Sequence, residues 1–181
     1  SAFSSYGGSV PGPTFITRCF EPIMVRFKNE LPQQIQGFGS PEIITHLHNG
    51  NNGPESDGFP GELYGPGYYK DHHYPNWPSN GNVNECKGTL WYHDHTLDYT
   101  AQNTYRGLAG FYIVHDEIDS GDENDPNPNA LRLLRSSLRL IDVISSQPAS
   151  PFGKTASSQL SPITLRLNLL EGCRGNVFTP S

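Results

Sequence analysis

Long apolar runs, positive charge and cysteine are what this sequence has least of, and each shortage closes off a class of function. No stretch of about 18 apolar residues occurs anywhere in the 181, so no segment reads as a membrane-spanning helix and no membrane is expected as a partner. The chain opens at Ser1 without a charged and apolar leader, although a leader already removed would leave the same start. Lys and Arg number 12 against 18 Asp and Glu, and the resulting net charge of −6 argues against a nucleic-acid partner. The three cysteines, Cys19, Cys86 and Cys173, lie far apart with no Cys-x-x-Cys spacing. That excludes a local zinc knuckle or redox pair and leaves one disulfide or free thiols as the open alternatives.

Turn formers, by contrast, are abundant. With 19 Gly and 16 Pro the composition suits a turn-rich β protein better than a helical bundle, and 181 residues give room for one domain with a real core. The chain has two unlike parts. Residues 1–129 hold 6 Lys and Arg against 16 Asp and Glu, whereas 130–181 hold 6 against 2. All seven histidines, both tryptophans and all nine tyrosines precede residue 130. The core and the chemistry are therefore expected in residues 1–118, followed by an acidic linker at 119–129 and a divergent or disordered tail at 130–181. Within that tail LRLLRSSLRLIDVI reads as a short basic helix or a strand, and the Ser- and Pro-biased segment after it as irregular.

The apolar spacing in the first part is that of strands. Between Pro22 and Lys28, Ile23, Val25 and Phe27 fall on one face while Met24, Arg26 and Lys28 fall on the other. The runs at 43–48, 88–95 and 107–115 are also β-rich and bounded by Gly, Pro or Asn. Several short strands without a strong helical period predict an all-β antiparallel sandwich or barrel.

Two His-x-His pairs stand out against that background: His46 and His48 in THLHNG, His93 and His95 in LWYHDH. Residues i and i+2 of a strand share a face, with Cα atoms about 6.6 Å apart. Two such strands side by side would gather four imidazoles into one patch, a donor set suited to copper, zinc, iron or nickel and not to magnesium or calcium. A lone His-x-His is weak evidence, but two in strand contexts point to a metal site, and splayed pairs reach neighbouring ions as easily as one. His72, His73 and His115 lack this arrangement and read as surface or structural residues. Asp57, nine residues beyond His48 in ESDGFP, reads either as a turn residue before Gly58 or as a carboxylate beside the metal that relays protons.

PGPTF near the start, THLHNG followed by ESDGFP, and GTLWYHDHTLDYTAQNTYRGLAGFYIVHD together resemble the first cupredoxin domain of a multicopper oxidase, over residues 8–118. The branch they are most similar to contains spore-coat laccase, bilirubin oxidase and phenoxazinone synthase. The resemblance implies a cupredoxin-like Greek-key β-sandwich in an oxidoreductase that takes electrons from phenol-like donors and reduces oxygen to water. It also implies that His46 ligates a type 2 copper, that His48, His93 and His95 ligate a type 3 pair, and that Asp57 serves as a proton relay. Trp91 and Tyr92 match as packing around the ligands, and Asn49 replaces a glycine common after the first pair.

What the family adds elsewhere is not visible here. The remaining four cluster histidines come from its last cupredoxin domain, and no histidine follows residue 115. A type 1 copper is also not expected, since no cysteine is flanked by histidines and Met24 is the one methionine. The expectation is thus a truncated or divergent product that supplies half a trinuclear copper cluster and needs further cupredoxin domains or a second chain to complete it. Secretion or a cell-surface location fits the family. Two other readings stay open: a copper-binding or structural cupredoxin module without oxidase activity, and a zinc hydrolase built on the same histidines. The hydrolase lacks an evident carboxylate, because Asp94 should face away from the ligands on a regular strand.

Overall fold

The computed structural model describes residues 4–86, 88–120, 124–127, 161–163, 165–166 and 176–178. Among the described residues ten strands occur in the order β1 (Ser4–Tyr6), β2 (Gly12–Arg18), β3 (Ile23–Lys28), β4 (Thr45–His48), β5 (Tyr69–Tyr74), β6 (Gly88–Asp94), β7 (Ala109–His115), β8 (Ser161–Ile163), β9 (Leu165–Arg166) and β10 (Asn176–Phe178). One six-residue helix, α1 (Thr100–Tyr105), links β6 to β7. The strands form a five-stranded sheet in the order β10-β2-β7-β6-β4, a three-stranded sheet β5-β3-β9 and a two-stranded pair β1-β8.

The all-β expectation holds, with one correction to the pairing. β2 runs parallel to β7, and β1 parallel to β8, so the architecture is mixed rather than purely antiparallel. Strands β3 to β6 intervene between β2 and β7, and a connection that long permits parallel pairing where a hairpin would not. The alternation expected at β3 is observed, with Ile23, Val25 and Phe27 buried and Met24, Arg26 and Lys28 less so. In the tail, β8, β9 and β10 add short edge strands to β1, β3 and β2 respectively. The segment LRLLRSSLRLIDVI lies outside the described residues.

The two larger sheets meet through aromatic rings. Phe15, Tyr92 and Tyr112 from the five-stranded sheet pack with Phe27 and Tyr74 from the three-stranded one, at centroid separations of 5.8 Å for Phe27–Tyr92 and 5.7 Å for Tyr74–Tyr112. Large rings close much area at low entropic cost, and edge-to-face contacts such as Phe15–Tyr92 add to that burial. Most of the buried hydroxyls are satisfied: Tyr92 donates to the Pro13 carbonyl at 2.7 Å, Tyr112 donates to Asn76 Oδ1 at 2.6 Å, and Tyr6 bonds Thr45 Oγ1 at 2.9 Å. The Tyr92 ring also explains Gly110, where a Cβ would lie 2.3 Å from the Tyr92 hydroxyl. Cys19, just past β2, is joined to Cys86, just before β6, by a disulfide that closes 67 residues of chain.

Candidate metal centre

β4 and β6 pair antiparallel with His46 opposite His93 and His48 opposite Trp91, while Leu47 faces Tyr92 and Thr45 faces Asp94. Directly opposed residues share a face. His46, His48, Trp91 and His93 therefore emerge together on one side of the sheet, and Leu47 and Tyr92 fill the core on the other. His95 lies one residue past β6, where its N–H bonds the Ile44 carbonyl at 2.8 Å and so extends the pairing.

One nitrogen each from His46, His48 and His93 lies within 4.8 Å of the others. His95 stands outside that trio but stacks on His46, with centroids 4.7 Å apart and planes at 23°. All four expected ligands are thus in one patch. His72, His73 and His115 are not among the grouped residues.

Backbone carbonyls orient three of these rings. His46 donates from Nδ1 to the Asp57 carbonyl at 2.5 Å, His93 to the Asp94 carbonyl at 2.7 Å, and His95 to the Gly58 carbonyl at 3.1 Å. A carbonyl only accepts, so the proton sits on Nδ1 and each Nε2 keeps its lone pair for a metal. His48 is turned the other way, with Nδ1 3.3 Å from Nε2 of His93. Two nitrogens each about 2.0 Å from one ion are separated by that distance when they subtend about 110°, an ordinary coordination angle. The donor set, its tautomers and this spacing fit copper.

Burial, helped by the neighbouring His46, His95 and His48, lowers the His93 pKa to about 4 against the pull of its hydrogen bond to the Asp94 carbonyl. The ring is consequently neutral at pH 7, as a ligand must be. Trp91 covers it, with centroids 4.2 Å apart, and also lies 5.2 Å from His48. Tyr92 does not surround the ligands as expected; it belongs to the opposite, core face.

Asp94 faces away from the ligands, as its position in β6 requires, and is fully buried. Its carboxylate accepts from Ile44 N–H, Thr96 N–H, Thr96 Oγ1 and Asn103 Nδ2 at 2.8–3.2 Å. Burial raises its pKa to about 6 although all four donors oppose the shift. One side chain thereby ties the start of β4, the turn after His95 and α1, and it is unavailable to a metal-bound water as a base.

The loop beyond β4 completes the site. Asp57 caps a single 3-10 turn, Pro54–Ser56, and its carboxylate Oδ1 is 3.5 Å from His46 Nδ1 with the side chain half-exposed. Gly58 has φ +82°, and a Cβ there would lie 2.2 Å from the Thr45 carbonyl oxygen, so only glycine lets the loop lie against β4. Asn49 has φ +66°, which accounts for a glycine being common at this position and for asparagine being tolerated. Sequence reasoning missed Ser56, which accepts at its carbonyl from His72 Nδ1 at 2.8 Å and at Oγ from the His73 N–H at 2.9 Å. Nothing in its local spacing marks it.

The family model for multicopper oxidase matches residues 1–119. The laccase of Bacillus stratosphericus is 34% identical over 139 residues, covering 66% of this chain and 26% of that protein. Bilirubin oxidase of Albifimbria verrucaria is 39% identical over 117 residues, covering 63% of this chain and 17% of that protein. The crystal structure of a multicopper oxidase from Pseudomonas thermotolerans is similar in fold, with a TM-score of 0.50 at 28% identity over 65% of this chain and 25% of that one. This chain spans a minor part of the length of each. The matched residues run through β1 to β7 and include both of this chain's His-x-His pairs, and this chain belongs to the multicopper oxidase family.

Proposed function

We propose that this chain is the first cupredoxin domain of a laccase-like oxidase, and that His46, His48, His93 and His95 are its share of a trinuclear copper cluster. The observation that carries the reading is the convergence of His46, His48 and His93 nitrogens within 4.8 Å on one sheet face. His46 takes the type 2 copper in this assignment, and His48, His93 and His95 take the type 3 pair. The 3.3 Å between His48 Nδ1 and His93 Nε2 supports a shared ion for those two.

When bound, the copper ions supply the one-electron chemistry that couples oxidation of phenolic-type donors to reduction of oxygen to water. The chain's own residues orient and shield. The carbonyls of Asp57, Asp94 and Gly58 hold three Nδ1 protons in place, and Trp91 covers His93 and His48 against water. Asp57, half-exposed and beside His46, takes protons from solvent at its carboxylate and releases them toward the site, since forming water consumes one proton per electron. Further cupredoxin domains or a second chain supply the remaining ligands and the donor pocket, a reading supported by the 26% of the laccase relative that this chain covers. Secretion is supported by the Cys19–Cys86 bond, a linkage that persists in oxidising compartments.

Titrating copper(II) into the full chain and recording its electron paramagnetic resonance spectrum tests the assignment. Binding with several nitrogen ligands, lost in His93→Ala, is the expected result. A wild-type chain that leaves added copper(II) free in solution overturns it.

A further inference from the structure

His46 and His95 come from different pairs, yet both give their Nδ1 protons to consecutive carbonyls of one loop, those of Asp57 and Gly58. The orientation of a ligand on each pair therefore depends on where that loop sits. Within the loop the bonds are local, Ser56 N–H to Gly53 and Asp57 N–H to Pro54. Ser56 fastens it to the rest of the fold. Both of its acceptors are taken by β5: the carbonyl by His72 Nδ1 and Oγ by the His73 N–H.

His72 is suited to be a fixed anchor. Its side chain is fully buried, with its ring edge-on to Phe27 at 5.4 Å and 85° and tilted against Tyr74 at 5.8 Å. Because the Ser56 carbonyl only accepts, the proton is on Nδ1, and burial keeps the imidazole neutral by lowering its pKa to about 4. The surface or structural role expected from the sequence becomes more specific in this light, since the partner of His72 is one and two residues from the carbonyls that set the ligands.

We propose that His72 and Ser56 form a clamp from the opposite sheet that fixes the ring orientation of His46 and His95, making His72 a positioning residue of the metal centre. The role as a metal-site device rests on the copper reading above; the geometric clamp does not. Loss of the His72 donor leaves Ser56 held by the His73 N–H alone, loosens the loop against β4, and weakens the fixed placement of the acceptors for Nδ1 of His46 and His95. Partners that hold the far nitrogen of a ligating histidine are worth about 10- to 100-fold in metal affinity.

The test uses four forms of the full chain: wild type, His72→Phe, which keeps a ring without the donor, His72→Asn, which keeps a donor at the Nδ1 position, and Thr17→Ala. The last removes a buried hydrogen bond to Ile113 in the β2–β7 pair, away from the site, and controls for general destabilisation. Two readouts are taken: nitrogen-15 shifts of His46 and His95 in the metal-free chain, and copper(II) affinity with its hyperfine splitting. Expected are Nδ1-protonated rings in wild type, His72→Asn and Thr17→Ala, and mixed tautomers in His72→Phe with about tenfold weaker copper binding and an altered splitting. If His72→Phe does not fold, Ser56→Ala takes its place: it keeps the carbonyl bonded to His72 but removes the Oγ that accepts from the His73 N–H, the other half of the clamp, and should mix the tautomers and weaken copper binding in the same direction. Wild-type tautomers and affinity in the donor-less variant overturn the clamp, as does failure of His72→Asn to restore them. A wild-type chain that does not bind copper overturns the copper reading instead, and the clamp is then decided by the tautomers alone.

Discussion

The two faces of the sheet around β6 are built from alternate residues of the same strands, yet they solve opposite problems. On the inner face Leu47, Tyr92 and Tyr112 close against Phe15 and Phe27, and the Tyr92 hydroxyl finds a carbonyl. On the outer face His46 and His93 hold their Nδ1 protons on backbone carbonyls and keep Nε2 for a metal, while His48 turns its Nδ1 toward His93. Stability thus belongs to one face and binding to the other. Strand alternation lets both be specified within the seven residues of β6.

Substitutions at neighbouring positions should separate the faces. Tyr92→Ala removes a fully buried ring and should cost about 3–5 kcal/mol in denaturant unfolding, lowering copper binding only as far as the chain unfolds. His93→Ala should do the reverse, weakening copper(II) about 100-fold, or ~2.7 kcal/mol, with a far smaller change in unfolding. If the two variants lose stability alike, the division is wrong.

Acid should act across both faces. His72 and His93 have native pKa values near 4, below the unfolded value of about 6.5, so the stability they contribute is complete above pH 6.5 and is lost as pH falls toward 4. Asp94 acts oppositely, because its native carboxyl, raised to about 6, holds a proton that the unfolded chain releases until about pH 4. Two histidines against one carboxyl leave a net loss of about 1 kcal/mol per pH unit between pH 6 and 4 in the metal-free chain. Denaturation midpoints measured across that interval should show it, and in His93→Ala the profile should flatten because one histidine then balances Asp94.

Gly58→Ala should disturb stability and binding together. A left-handed residue other than glycine costs about 1–2 kcal/mol, and contact with the Thr45 carbonyl would move the loop off β4. Copper affinity measured beside stability should fall with it; unchanged affinity would detach the loop from the outer face.

The ligands were legible because they are side chains at a strand's own period: His46, His48, His93 and His95 are recognisable wherever two β-runs carry His-x-His. The strand at Ile23–Lys28 was legible for the same reason. The parallel pairing of β2 with β7 was not, since it joins Phe15 to Tyr112 across most of the domain and leaves no local trace. Nor were the acceptors that orient the rings. They are backbone carbonyls of Asp57, Asp94 and Gly58, atoms every residue possesses, and only the fold singles them out. Cysteine pairing was open between alternatives until the ends of β2 and β6 brought Cys19 to Cys86. Histidine 72 looked like any other because burial is not written in its neighbours, two of which, Asp71 and Lys70, are charged.

The direct opposition of His46 and His93 also protects the site from errors of assembly. Sliding β4 by one residue against β6 would turn His46 and His48 inward onto Tyr92 and push Leu47 into water. Such a mispaired chain loses its core along with its ligands and does not persist. Hydrophobic packing therefore proofreads the metal centre, and a partly formed cluster of imidazoles is never left on a stable, wrongly folded molecule to capture the wrong ion.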